Sequence, residues 1–131
     1  MLREEVKILV IDDVNTMRVQ IKELLKTFGF RQITLAASGE AAKAMMETGG
    51  FNLILCDWHM SPGDGMEFLL YVRNHPDFKA VPFIMVTAES TKELVLQAIK
   101  SGVDDYLIKP LTIVQIQNKV YGVLLRKQVL T

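Results

Sequence analysis

Apolar positions along this chain follow two rhythms, short dense runs and longer stretches with helical spacing. The dense runs cover residues 6–11, 51–56 and 83–86, with shorter ones at 33–36 and 106–108. Runs of this kind, bounded by polar and turn residues, read as strands buried on both faces. Between them lie helical patterns. Asn15 can cap a first helix through Met17, Ile21, Leu24, Leu25 and Phe28, with Gly29 as its stop. Ser38 can cap a second through Ala41, Ala42, Met45 and Met46, ended by Gly49 and Gly50. Asp64 and Glu67 have capping-box spacing for a third, which carries Phe68, Leu69 and Val72 and halts at His75 and Pro76. Ser90 and Glu93 repeat that spacing before a fourth, whose Val95, Ala98 and Ile99 should face inward and whose end is Gly102. Thr112 opens the fifth, with Ile113, Ile116, Val120, Val123 and Leu124 as core stripe. Five strands alternating with five helices predict an α/β domain, a parallel sheet covered on both faces.

The residues that close the strands carry the chemistry. Asp12 and Asp13 follow the first strand, Asp57 the third, Thr87 the fourth, and Lys109 with Pro110 the fifth. In an open parallel sheet, ligands bind in the crevice outside the carboxyl ends of the strands. All four ends therefore face one site, with three carboxylates, one hydroxyl and one ammonium. Carboxylates a few ångströms apart repel strongly, so the cluster suits a divalent cation, and the lysine and hydroxyl suit an anion beside it.

Composition then removes alternatives. The 131 residues make one domain, residues 1–131, with no output domain expected, so a signal must leave through its own surface. The 15 basic and 15 acidic residues cancel and form no basic stripe, which argues against nucleic acid. No apolar stretch approaches the roughly 18 residues of a spanning helix, and the amino terminus lacks a signal-peptide core, so a cytoplasmic location is expected. A lone Cys56 inside an apolar strand reads as a buried, inert thiol.

Asp12 and Asp13, Asp57, Thr87 and Ala88, and Lys109 and Pro110, in that order, resemble the receiver domain of two-component response regulators, over residues 6–127. Thr16, Met17, Arg18, Trp58, Glu89 and Tyr106 are most similar to the single-domain chemotaxis regulators of that family. The resemblance implies a flavodoxin-like (βα)5 sheet of order 2-1-3-4-5, and a signalling switch that catalyses its own phosphorylation and dephosphorylation. It implies that Asp57 takes a phosphoryl group from the phosphohistidine of a sensor histidine kinase. Mg2+, or Mn2+ in its place, would be held by Asp13 and Asp57, by Asp12 through water and by the His59 carbonyl. Lys109, the Thr87 hydroxyl and the Ala88 N–H would bind phosphoryl oxygens, and the Lys109-Pro110 peptide would be cis. His59 and Glu89 would tune hydrolysis. Val95, Tyr106 and Lys119 would form the output face for a downstream protein such as a flagellar motor switch component, and a phosphatase is a further partner the family allows.

Three expectations are local. The run Met60, Ser61, Pro62, Gly63 sets its proline one residue later than the family's usual Met-Pro. Trp58 should fill a crevice at the surface and report on metal binding. Val114, Tyr121 and Leu125 add a second apolar stripe to the fifth helix, a surface for a partner or for pairing of a monomer upon phosphorylation. Within the family, the alternative is a phosphorelay shuttle that hands the phosphoryl group to a histidine phosphotransfer protein. An aspartate-based Mg2+ phosphatase needs Asp-x-Asp on the first strand, which Asp12, Asp13 and Val14 lack. A flavodoxin-type carrier would cradle phosphate in a first loop where two aspartates repel it.

Overall fold

Strands form at the apolar runs: β1 (Lys7–Ile11), β2 (Gln32–Ala36), β3 (Leu53–Asp57), β4 (Phe83–Thr87) and β5 (Asp105–Ile108). In this computed structural model, which describes residues 1–60, 64–88 and 91–130, all five pair in parallel in the order β2-β1-β3-β4-β5. The flavodoxin-like order that the resemblance implied is the observed one. The central strands β3 and β4 are buried along their whole length, while β2 and β5 at the edges are only partly covered.

Alternation along each strand divides the core into two layers. Ile8, Val10, Leu53, Leu55, Ile84 and Val86 point to the face covered by α1 (Asn15–Thr27) and α5 (Ile113–Arg126). Leu9, Ile11, Ile54, Cys56, Phe83 and Met85 point to the face covered by α2 (Gly39–Gly49), α3 (Gly65–Asn74) and α4 (Lys92–Ser101). Gly29, Gly50 and Gly102, the expected stops, all have positive φ at the ends of α1, α2 and α4. Ser38, Asp64 and Thr112 cap α2, α3 and α5 by accepting N–H groups of Ala41, Glu67 and Gln115.

Several expectations fail for identifiable reasons. Asn15 is the first residue of α1 and not its cap; Val14 occupies that position, without a side-chain cap. The cap of α4 is Thr91, whose hydroxyl accepts Leu94 N–H, while Ser90, Glu89 and the Ser61, Pro62, Gly63 segment lie outside the described residues. Ile99 and Ile113 are exposed, at 53% and 59%; Leu94 with Ala98, and Ile116, take the inward places. Trp58 is buried among Met60, Met66 and its neighbours and does not fill a surface crevice.

Tyr121 does not share an outward stripe with the exposed Val114 and Leu125. Its ring packs against Phe28 and Phe30, Arg3 lies over it, and its hydroxyl donates to the Phe28 carbonyl at 2.7 Å. The expected partner surface is thereby broken at its middle position. Tyr121→Phe should cost about 1 kcal/mol, the net value of one such hydrogen bond, read as a lower urea midpoint.

Candidate functional site

Strand register assembles the site. Ile11 lies opposite Cys56, Asp57 opposite Val86, and Thr87 opposite Ile108, so Asp12, Asp57, Thr87 and Lys109 arrive at one edge. The Lys109 N–H donates to the Thr87 carbonyl at 2.8 Å, which fixes the start of the lysine's loop, and the Lys109-Pro110 peptide is cis. Among the described residues, Asp12, Asp57 and Thr87 are the polar or charged residues buried from solvent. Burying charge is costly unless it is paired or coordinates a metal. All three stand at this edge.

Lys109 bridges the two buried acids, its Nζ lying 3.3 Å from Asp12 Oδ2 and 3.2 Å from Asp57 Oδ1. One carboxylate oxygen from each of Asp12, Asp13 and Asp57 lies within 4.8 Å of the others, and Asp13 completes the group from the exposed side. Three carboxylates and one ammonium meet within this group, so carboxylates outnumber the lysine. Hard oxygen donors with excess negative charge fit Mg2+, which takes few carboxylates and keeps several waters.

Burial raises the Asp57 pKa above its ordinary value, the charge of Asp12 adds to this, and Lys109 opposes it. Burial also works against charge on Lys109, yet Asp57 and Asp12 outweigh it and hold its pKa up. Lys109 therefore stays protonated through neutral pH, and the stability its pairing contributes is lost only as pH climbs through that raised value. Asp57 has the opposite consequence. Its ionised form costs stability above its folded-state pKa, a cost relieved as pH falls through that value. Asp57→Asn should therefore raise the urea midpoint of the metal-free protein at neutral pH by about 1 kcal/mol, with the gain shrinking toward acid.

Of the other sequence candidates, Ala88 and His59 are exposed, and the His59 ring stacks on Trp58 with centroids 6.3 Å apart. Val95 and Tyr106 are half-buried. Lys119 pairs with Asp105 at 3.0 Å and lies 4.3 Å from the Tyr106 ring centroid. Cys56 is buried, and burial pushes its thiol well above the ordinary pKa, as expected of an inert side chain.

Two contributors escaped the sequence reading. Gly65 opens α3 where its backbone passes against the end of β3; a Cβ there would meet the Asp57 carbonyl oxygen. The available signal was a glycine directly after the cap Asp64, where helix formers are favoured. Arg18 is the other, holding the backbone of the β1–α1 turn.

Two buried aspartates bridged by a lysine and joined by a third, exposed one, at the carboxyl edge of a five-stranded parallel sheet, define a class of phosphoryl-accepting domain. The family model described as the response regulator receiver domain matches residues 8–121, and the chain belongs to that family. Chemotaxis protein CheY of Pseudomonas aeruginosa is 37% identical over 114 residues, 87% of this chain and 92% of that protein. Chemotaxis protein CheY-3 of Vibrio cholerae is 35% identical over 118 residues, 90% of this chain and 91% of that one. Among solved structures, CheY4 of Vibrio cholerae superposes with a TM-score of 0.85 at 28% identity, covering 91% of this chain and 98% of its own.

Proposed function

We propose that this chain is a response regulator in which Asp57 receives a phosphoryl group from a sensor histidine kinase. The observation that carries the reading is that the buried polar residues among those described, Asp12, Asp57 and Thr87, gather around Lys109. An Asp57 oxygen attacks phosphorus, an O–P bond forms, and the P–N bond to the donor histidine breaks with its electron pair returning to the imidazole. Lys109, charged throughout, pairs with a phosphoryl oxygen; the Thr87 hydroxyl and the Ala88 N–H donate to others.

Asp13 and Asp57 would hold Mg2+ directly, Asp12 through water, and the His59 carbonyl would complete the protein's share. Bound there, the ion would neutralise charge on the transferring group. His59 would set the product's lifetime; Glu89, given the same role by the resemblance, lies outside the described residues. Output leaves through Val95, Tyr106 and Lys119 on α4, β5 and α5 to a downstream protein, in chemotaxis or motility signalling, in the cytoplasm. The chemotaxis proteins among its relatives support that pathway.

The test is to mix the protein with acetyl phosphate, with and without Mg2+, and weigh it intact. One added phosphoryl group that requires Mg2+ or Mn2+ is expected. No labelling under either condition would overturn the reading.

A further inference from the structure

Both carboxylate oxygens of Asp12 are committed: Oδ1 accepts the Val14 N–H at 2.9 Å, and Oδ2 faces Lys109 at 3.3 Å. Its backbone is held as well. Arg18, one turn into α1, donates from Nη1 to the Asp12 carbonyl and from Nη2 to Asn15 Oδ1 at 3.1 Å. The Val14 carbonyl accepts the N–H groups of Met17 and Arg18, both at 3.1 Å. One guanidinium thus spans the turn from Asp12 to Asn15, and that turn carries Asp13.

Two features separate this from ordinary surface bonding. Asn15, a residue type that commonly caps helices, binds Arg18 with its side chain while the amino terminus of α1 goes without a side-chain cap. The guanidinium also lies next to the cluster of Asp12, Asp13 and Asp57, yet its hydrogen bonds to Asp12 and Asn15 go to uncharged oxygens and not to those carboxylates. A planar fork reaching two acceptors is what arginine offers and lysine does not.

We infer that Arg18 is a positioning residue for the divalent ion, which with Asn15 fixes the Asp12 and Asp13 turn so that both carboxylates meet the metal. The inference rests on the reading of this cluster as a Mg2+ seat. Charge and positioning pull in opposite directions here. Removing a cation beside the acids would tighten Mg2+ binding by Coulomb attraction alone, whereas losing the brace would weaken it.

Mg2+ titrations of the full chain, followed by Trp58 emission and by the urea midpoint at each concentration, separate the two. Arg18→Met should raise the Kd about tenfold, the size of effect seen when supports behind metal ligands are lost. Arg18→Lys should raise it about threefold, because an ammonium cannot span both acceptors in one plane. Asn15→Ala should shift it in the same direction, and the Arg18→Met, Asn15→Ala double variant should bind no worse than Arg18→Met, since one brace is being removed. Unchanged or tighter binding in Arg18→Met, or a lowered metal-free midpoint with Kd unchanged, would overturn the inference. Wild type that fails to bind Mg2+ would overturn the metal reading itself, and that arm keeps the two failures apart.

Discussion

Asp57→Asn is expected to take up no phosphoryl group from acetyl phosphate and Mg2+ under conditions where the wild-type protein takes up one. Asp57 contacts Lys109, shares the 4.8 Å group with Asp12 and Asp13, and ends the fully buried β3. Asparagine keeps the shape and an oxygen for Lys109 but removes the nucleophile, so the loss should be complete and not graded. It should also occur in a protein more stable than wild type without metal, because the variant relieves a carboxylate that burial and Asp12 hold out of its ordinary range. That pairing of gained stability with lost labelling excludes misfolding as the cause. Labelling of Asp57→Asn to the wild-type extent would remove Asp57 from the nucleophile's role.

What could be read from the sequence was whatever depends on local order along the chain. Strand ends fall at polar residues, and parallel pairing carries those ends to one edge, so Asp12, Asp57, Thr87 and Lys109 were legible together. The misses concern choices that neighbouring elements make. In α4, Leu94, Val95, Leu96, Ala98 and Ile99 leave more than one apolar face available, and packing on α3 and β5 selected Leu94 and Ala98. Tyr121 turned inward because Phe28 lies within reach of its hydroxyl, a contact across 93 residues that no spacing rule encodes. Asn15 gave up the capping position because Asp12 supplies an acceptor to the Val14 N–H and Arg18 draws the Asn15 side chain. At the opposite end of the sheet, Arg73 ties the Gly102 carbonyl and Asp104 together, and Asp104 also accepts the Phe83 N–H. This latch joins α3 to the starts of β4 and β5, and it too is invisible without the fold.

Gly65→Ala should be among the most damaging single-methyl changes this protein can suffer, although it places a better helix former in a helix. Gly65 donates its N–H to the Trp58 carbonyl at 2.6 Å, which presses the start of α3 against the end of β3. An added Cβ would meet the Asp57 carbonyl oxygen and lie 3.0 Å from both the Asp57 carbonyl carbon and Met85 Sδ. The backbone at Asp57 cannot yield without disturbing the β3–β4 ladder, and Met85 is fully buried. Overpacking of this kind costs about 1–3 kcal/mol, and a backbone obstacle places this case near the upper figure. Gly39→Ala is the matching control, since Gly39 is likewise the first residue of its helix but has nothing within 4 Å of an added Cβ. There the substitution should be neutral or stabilising by up to about 1 kcal/mol. Because the displaced backbone is the one that carries Asp57, Gly65→Ala should also slow labelling by acetyl phosphate under conditions where the variant remains folded. Urea midpoints of the two alanine variants, with labelling rates measured well below either midpoint, check both parts. Equal stability of Gly65→Ala and wild type would show that the α3 start moves freely, and would remove Gly65 as the support beneath Asp57.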